Sequence, residues 1–209
     1  MALANVERVA SPAVLPKEIR KMITDGSTVT DSTPFEALKE AWLYEHAQEQ
    51  AVICNLCAHR CYIPEGRVGI CKVRENRAGR LYTLVYDRII ALGIDPIEKK
   101  PFFHFLPSTR SYSIATVGCN FHCRFCQNWE ISQMPRDHQG VILGHMCSPQ
   151  EIVREARDAG CETIAYTYTE PTIFFELAHE TARLASEAGL KLPETREAVL
   201  RYLQKHGRT

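Results

Sequence analysis

The sequence Cys119-Asn-Phe-His-Cys123-Arg-Phe-Cys126 places three thiols at C-x3-C-x2-C spacing, directly after an apolar stretch that ends in Gly118. We call Cys119, Cys123 and Cys126 the loop thiols. Thiolate ligands select zinc and iron-sulfur clusters over hard cations. A [4Fe-4S] cluster normally takes four cysteines, so a local set of three leaves one iron without a protein ligand. The spacing therefore predicts an iron-sulfur cluster with an open iron at which a reactant can bind.

Two other interpretations of the loop thiols remain open. One is a zinc loop or a set of buried free thiols, although the spacing lacks the paired C-x2-C knuckles of common zinc sites. The other is a ferredoxin-like electron carrier with Cys147 as its fourth ligand. Cys147 lies well downstream, just before a predicted helix start, which makes this interpretation the weaker one.

A second group of cysteines, which we call the upstream thiols, precedes this motif. Its members are Cys54, Cys57, Cys61 and Cys71. The C-x2-C opening is typical of zinc knuckles, and His59 could replace one thiol. The group predicts a structural zinc or an auxiliary cluster, and a hairpin with reduced cysteines packed inside it is the alternative. Cys147 and Cys161 stand apart and are expected to be small buried side chains.

The apolar pattern divides the chain into four segments. We expect a poorly ordered leader, a helix plus a cysteine-rich β region, a run of alternating strands and helices, and a helical tail, at residues 1–33, 34–110, 111–191 and 192–209. The helix of the second segment is predicted to begin after Thr33, which can cap it, and to reach about Gln48. Strands are also predicted between residues 81 and 93.

The third segment carries the clearest elements. Strands are predicted at 112–117 and 163–167, and helices at 148–158 and 171–187. Ser148-Pro-Gln-Glu151 is a capping box with proline at the first helical position. The order strand, helix, strand, helix is typical of a parallel sheet with right-handed crossovers, so we assign the chain to the α/β class.

Two smaller predictions concern side chains near this sheet. Lys99 and Lys100 beside Glu98 could touch a substrate, but a solvated loop is the favoured interpretation. Tyr166 and Tyr168 alternate along the second strand, so they are expected to share one face of it.

Charge and composition limit the classes of binding partner that we expect. The chain has 25 basic and 25 acidic side chains, so no net field attracts a polyanion and we expect no nucleic acid partner. The first residues lack the basic and apolar regions of a signal peptide, and no apolar run approaches membrane-spanning length. We expect a cytoplasmic protein, no membrane partner, and reduced cysteines that act as metal ligands rather than in disulfides.

Four sequence runs together resemble the radical S-adenosylmethionine (SAM) enzymes of the AmmeMemoRadiSam system, which are related to pyruvate formate-lyase activating enzymes. The runs are 54–71, 95–107, 119–133 and 166–173. The resemblance implies a partial radical SAM (βα) barrel preceded by a small cysteine-rich β-containing region. It also implies that the loop thiols Cys119, Cys123 and Cys126 hold a [4Fe-4S] cluster, with Phe125 near the adenine of SAM.

The resemblance further implies that Glu170, at the end of the second strand, hydrogen-bonds the SAM ammonium. A helix N-terminal acid that interacts with the macrodipole is the compatible alternative. The implied reaction is reductive cleavage of SAM to a 5′-deoxyadenosyl radical, which abstracts hydrogen from a small or protein substrate. A reductant such as flavodoxin or ferredoxin would supply the electron. The rival hypothesis is a non-catalytic iron-sulfur electron carrier or a zinc-stapled scaffold fragment.

The tail at 192–209 departs from this pattern. A six-unit (βα) barrel would continue with a third strand, whereas the tail predicts a short amphipathic helix with Val199, Leu200 and Leu203 on one side. We therefore expect a barrel truncated at its C-terminus, and such a truncation can abolish activity. The sheet edge left open would favour aggregation or a partner chain.

Overall fold

The computed structural model describes residues 38–191. The predicted leader, the start of the predicted first helix and the predicted helical tail lie outside this part of the chain. The strands within it are β1 (Lys39–Glu40), β2 (Tyr44–His46), β3 (Val52–Cys54), β4 (Tyr62–Ile63), β5 (Arg74–Arg77), β6 (Arg80–Thr83), β7 (Arg88–Ile89), β8 (Ala91–Pro96), β9 (Arg110–Ala115), β10 (His145–Met146) and β11 (Thr163–Tyr166). The α-helices are α1 (Trp129–Ser132), α2 (Met134–Asp137), α3 (Pro149–Asp158) and α4 (Phe175–Glu187), and 3-10 turns lie at Gln48–Gln50, Ile97–Lys99 and Pro171–Phe174.

The upstream thiols belong to a region of two small antiparallel sheets. One has the strand order β2-β3-β4 and the other the order β1-β6-β5. Their apolar side chains form a core of their own, which Phe175 of α4 joins. The cysteine-rich region is therefore packed directly against the helix that follows β11.

The helix predicted from Thr33 to about Gln48 is wrong for the residues that the structure describes. Strand β1 pairs with β6, and β2 pairs with β3, both in antiparallel fashion. Tyr44 of β2 is an aromatic side chain that suits a half-buried pleated surface, whereas Trp42 and Leu43 lie in the bend between β1 and β2. The partner strands of β1 and β2 lie further along the chain, and tertiary pairing with them overrides the local helical pattern.

The sheet that carries the loop thiols has the strand order β8-β9-β11, and we call it the central sheet. Strand β8 runs antiparallel to β9, whereas β9 and β11 are parallel, with Ile114 opposite Tyr166. This pair confirms the two strands predicted in the third segment. Because they are parallel, β9 and β11 end at one edge of the sheet, and the segments that follow them start close together.

Helix α3 confirms the predicted capping box. The Ser148 hydroxyl accepts from the Glu151 N–H at 3.3 Å, and the Glu151 carboxylate accepts from the Ser148 N–H at 2.8 Å. Helix α4 follows β11 and is capped by Gly189, which has a φ of +82°. The main apolar core lies where these two helices cover the central sheet, and it includes Ile114, Val117, Ile152, Ile164 and Leu177.

Residues just beyond α4 return to the central sheet. The Lys191 N–H donates to the Glu162 carbonyl at 2.8 Å, and Lys191 forms a parallel bridge with Thr163. Thr163 pairs with β9 on its other side. The edge of β11 that the sequence predicted to be open is therefore already paired at its first residue.

Candidate functional site

The loop thiols follow β9 at the edge of the central sheet where the parallel strands end. Gly118 opens the turn into this loop with a φ of +90°. A Cβ at this position would lie 2.5 Å from Val73 Cγ1 and 2.9 Å from the Cys71 carbonyl oxygen. Only glycine permits this approach, so the loop is held against the cysteine-rich region at its start.

The loop thiols themselves lie in irregular chain between Gly118 and α1. All three are free, with Cys123 exposed and Cys119 and Cys126 half-buried. The Phe121 N–H lies 3.4 Å from Cys119 Sγ, and the Cys126 thiol lies 3.7 Å from Ser132 Oγ. Three free thiols, of which one is exposed, are ligands that an iron-sulfur cluster takes and can be reached from solvent.

The side chains of residues 38–191 include no group of three or more His, Cys, Asp or Glu residues placed to hold a metal ion. Metal binding couples to conformation, because thiol ligands must lose their protons and gather around the ion. The role of the loop thiols as ligands therefore stays a prediction that rests on donor chemistry and position in the fold.

Aromatic side chains of the same loop and of the first residue of α1 are exposed to solvent. Phe125 is 88% exposed, and Phe121 and Trp129 are each more than half exposed. Large apolar side chains exposed close together in the chain mark a surface that binds a ligand or a partner. Phe125, which was predicted to lie near the SAM adenine, is free to be covered by a ligand seated on the loop.

Glu170 lies at the start of the 3-10 turn that follows β11, and its side chain is partly buried. Its carboxylate accepts hydrogen bonds from the Thr172 N–H at 3.3 Å and the Thr172 hydroxyl at 2.5 Å. Glu170 therefore caps the 3-10 turn, a position that is compatible with the alternative of an N-terminal acid interacting with the macrodipole. One carboxylate can accept further donors, so capping leaves it capable of binding an ammonium.

Two hydrogen bonds join the segment that follows β11 to the segment that follows β9. The Asn128 side-chain amide donates to the Tyr168 carbonyl at 3.0 Å. The Thr169 hydroxyl donates to the Thr116 carbonyl, also at 3.0 Å. The loop thiols and Glu170 therefore stand on neighbouring, directly linked segments at one sheet edge, as the sequence predicted.

A buried carboxylate that sequence reasoning missed lies on the central sheet. Asp95 is 1% exposed and forms ion pairs of 2.7 Å with both Lys99 and Lys100. The Ser113 and Tyr168 hydroxyls donate to the same carboxylate at 2.9 Å and 3.0 Å. Burial acts to raise the pKa of Asp95, but the hydrogen bonds from the two lysines outweigh it and lower the pKa to about 2.

Two predictions about this area need correction. The lysine pair is only partly solvated: both ammonium groups bind Asp95, and the Lys99 side chain is 45% exposed whereas that of Lys100 is 12% exposed. Tyr166 and Tyr168 do not share one strand face, since β11 ends at Tyr166 and Tyr168 has a φ of +66°. Tyr166 packs near Phe174, whereas Tyr168 turns toward Asp95.

The stability of the fold should fall between about pH 4 and about pH 2 because of Asp95. A folded-state pKa below the unfolded value stabilises the protein above the unfolded pKa, and this contribution is lost as pH falls through the folded pKa. A shift from 3.8 to about 2 corresponds to about 2 kcal/mol. Urea unfolding across this pH range should show the loss in the natural chain and a smaller loss in Asp95→Asn. Equal pH slopes for the two proteins would contradict the assignment.

The remaining cysteines occupy different surroundings. The upstream thiols line one cavity in the cysteine-rich region, beside the loop thiols. Cys161 is buried, as predicted. Cys147 is half-buried at the end of β10, where its N–H donates to the Asp87 carbonyl at 2.8 Å, and burial raises the pKa of its thiol to about 11.

Comparison with known proteins finds a family match for part of this chain. Residues 113–207 match the family model of the radical SAM superfamily, and this match supports that superfamily for the part of the chain that carries the loop thiols. The matched range also runs into the tail that the sequence analysis set apart from the barrel. No solved structure matches the chain.

Two curated relatives are uncharacterised proteins of Methanocaldococcus jannaschii. MJ0808 is 46% identical over 153 residues, which cover 73% of this chain and 45% of the relative. MJ0674 is 35% identical over 111 residues, which cover 50% of this chain and 27% of the relative. The chain thus spans less than half the length of either relative. Among residues 38–191, no helix is long and apolar enough to cross a membrane.

Proposed function

We propose that this chain binds a [4Fe-4S] cluster through Cys119, Cys123 and Cys126, and SAM at the iron they leave open. The observation that carries the proposal is the shared sheet edge. A three-cysteine loop follows one parallel strand, Glu170 follows the next, and hydrogen bonds join the two segments. The match to the radical SAM superfamily supports the same assignment. The finer assignment to the AmmeMemoRadiSam enzymes is also part of the proposal and rests on the four sequence runs.

The residues of this chain would bind and orient SAM. When bound, the cluster would supply the electron that cleaves SAM to methionine and a 5′-deoxyadenosyl radical for hydrogen abstraction. Glu170 would accept hydrogen bonds from the SAM ammonium, a charge-assisted contact stronger than one between neutral groups. Phe125 would pack against the adenine and exclude water from it. The Tyr168 hydroxyl, bound to Asp95, fixes the segment from which Glu170 extends.

The rest of the proposal concerns the setting of this site. The strands and helices from β9 to α4 would be the first part of a radical SAM (βα) barrel. The substrate would be a small molecule or a protein, and flavodoxin or ferredoxin would be the reductant. A cytoplasmic location is proposed on the ground that the cysteines must stay reduced. Turnover by this chain, which matches 45% of the length of MJ0808, is likewise a proposal.

Electron paramagnetic resonance of the reduced protein tests this function. The chain would be purified without oxygen, reconstituted with iron and sulfide, reduced, and measured with and without SAM. We expect about four irons per chain bound at the loop thiols and a [4Fe-4S] signal that changes when SAM is added. SAM should alter the signal because it binds directly to the open iron.

Two results would contradict the proposal. A cluster whose signal is indifferent to SAM would favour the electron carrier, since a fully ligated cluster has no open iron. A chain that binds no iron at all would leave the loop thiols without a cofactor. Mixing SAM with the reduced protein and assaying 5′-deoxyadenosine then tests turnover separately from binding.

A further inference from the structure

The upstream thiols surround a single small cavity in the cysteine-rich region. They come from three turns of the chain: Cys54 ends β3, Cys57 and Cys61 lie in the connection to β4, and Cys71 lies in the turn before β5. All four line the cavity, together with Arg74 and Asn120. Four cysteines that span 17 positions of the sequence, from Cys54 to Cys71, thus line the same cavity.

Backbone contacts fix these turns tightly. The Cys54 N–H donates to the Cys61 carbonyl at 2.9 Å, which sets these two cysteines side by side across the hairpin. A Cβ at Gly69 would lie 3.7 Å from Cys61 Sγ, so the thiol packs against the turn that carries Cys71. Arg60 has a φ of +44°, and its N–H donates to the Cys57 carbonyl at 3.1 Å. The four positions are therefore close without help from a disulfide, and all four thiols are free.

A buried donor at this cavity lacks a partner. Arg74 is 1% exposed and lines the cavity, and its Nε has no hydrogen-bond partner within residues 38–191. Its two terminal nitrogens are already bound to Glu176. A buried N–H without an acceptor is costly, and native structures rarely leave one. The orphaned donor indicates that the cavity has a place for an occupant that brings a hydrogen-bond acceptor to Arg74.

We propose that Cys54, Cys57, Cys61 and Cys71 bind one zinc ion as four thiolates. A zinc ion with four thiolates has a net negative charge, which the guanidinium of Arg74 would offset while its Nε–H donates to a thiolate sulfur. The cavity has room for about one water molecule. That space suits a single ion, whereas the cube of a [4Fe-4S] cluster would require the turns to move apart.

The four thiols do not lie in a metal-binding arrangement in the structure. Residues 38–191 contain no group of three or more His, Cys, Asp or Glu side chains placed to hold a metal ion. The ion would draw them in, because thiol ligands lose their protons and converge only when the metal arrives. His59 is excluded from the proposed ligand set. Its Nε2 is engaged with the Asn120 carbonyl at 2.9 Å, and its side chain is exposed.

Zinc at this position would stabilise the loop that carries the loop thiols. Asn120 lies between Cys119 and Cys123 and lines the zinc cavity, and its backbone carbonyl contacts His59 of the upstream hairpin. Gly118 packs against the Cys71 carbonyl. The proposed zinc therefore acts as a structural staple beside the cluster loop, and it is independent of whether a cluster or SAM binds there.

Metal analysis of a variant without the loop thiols tests the proposal. The full chain would carry Cys119→Ser, Cys123→Ser and Cys126→Ser, which removes the cluster site and separates this test from the proposed function. We expect about one zinc per chain, little iron, and an intense thiolate-to-metal absorption when cobalt replaces zinc. Adding Cys57→Ser and Cys71→Ser should remove the zinc, whereas adding Cys147→Ser or His59→Ala should leave it in place.

Three outcomes would overturn the zinc site. They are no bound metal, about four irons and matching sulfide in place of zinc, or zinc that survives the loss of Cys57 and Cys71. Loss of zinc from His59→Ala would overturn the four-thiolate set. If the triple variant does not fold, alkylation of the natural chain decides the question. Zinc should protect the upstream thiols from alkylation until a chelator is added, and equal labelling with and without chelator would exclude the site.

Discussion

Replacing Cys123 by alanine is expected to abolish the SAM-dependent change in the resonance spectrum and the formation of 5′-deoxyadenosine. With two loop thiols left, two irons of a [4Fe-4S] cluster would lack a protein ligand, and the cluster should be lost or degraded. Cys123 is the exposed member of the three, so its replacement by alanine leaves no buried gap and should not unfold the chain. Iron content, the spectrum with SAM, a 5′-deoxyadenosine assay and thermal unfolding measure these four expectations.

Cys147→Ser is the matched control for this experiment. Cys147 lies outside the loop, at the end of β10, and was the candidate fourth ligand of the electron-carrier hypothesis. We expect this variant to keep about four irons per chain and the response to SAM. If Cys147→Ser loses the cluster as Cys123→Ala does, the cluster has four protein ligands and the radical SAM assignment fails. Undiminished 5′-deoxyadenosine in Cys123→Ala would contradict it equally.

The parts of the fold that the sequence predicted correctly carry strong local signals. The capping box at Ser148 and Glu151 is read from neighbouring residues, and it is present. The parallel pairing of β9 and β11 follows from their order with helices between them. The helix predicted to end near Gln48 failed because β1 and β2 owe their conformation to partner strands that are distant in sequence.

The motifs of the candidate site could be read from the sequence, but the side chains that surround them could not. Local spacing marked the loop thiols as candidate ligands, and the resemblance to radical SAM enzymes marked Glu170, at the end of a strand, as a candidate SAM contact. The Asp95 network depends on a left-handed turn at Tyr168, which brings its hydroxyl back across the sheet, and nothing in the run Tyr166-Thr-Tyr168 signals that turn. The orphaned Nε of Arg74 could be found only once the cavity beside it was known.

A buried ion pair should dominate the stability of the junction between the two regions. Arg74 of β5 and Glu176 of α4 are 1% and 0% exposed, and both terminal guanidinium nitrogens donate to the carboxylate. The carboxylate also accepts from the Trp42 N–H at 3.0 Å. We expect Arg74→Met to lower the free energy of unfolding by about 3–5 kcal/mol, because it leaves a charged carboxylate buried without its partner.

The pH dependence of Arg74→Met separates this cause from a simple packing defect. Without the guanidinium, the variant carries an unpaired buried carboxylate near pH 7, and neutralising that charge at lower pH removes the cost of burying it. The variant should therefore recover part of its lost stability as the pH is lowered from about 7 toward about 4. A packing defect alone would cost the same at every pH.

Arg183→Ala provides the control, since it removes an ion pair from the same helix at the surface. Arg183 and Glu187 form a 2.6 Å pair, but both side chains are more than half exposed. Solvent screens such a pair, and we expect a change of at most about 0.5 kcal/mol. Urea unfolding of Arg74→Met, Glu176→Gln, the double variant Arg74→Met/Glu176→Gln and the control measures the coupling between the buried pair. A double variant that is no more destabilised than Arg74→Met alone would locate the cost in the unpaired charge, whereas additive losses would show that Arg74 and Glu176 stabilise the junction through separate contacts.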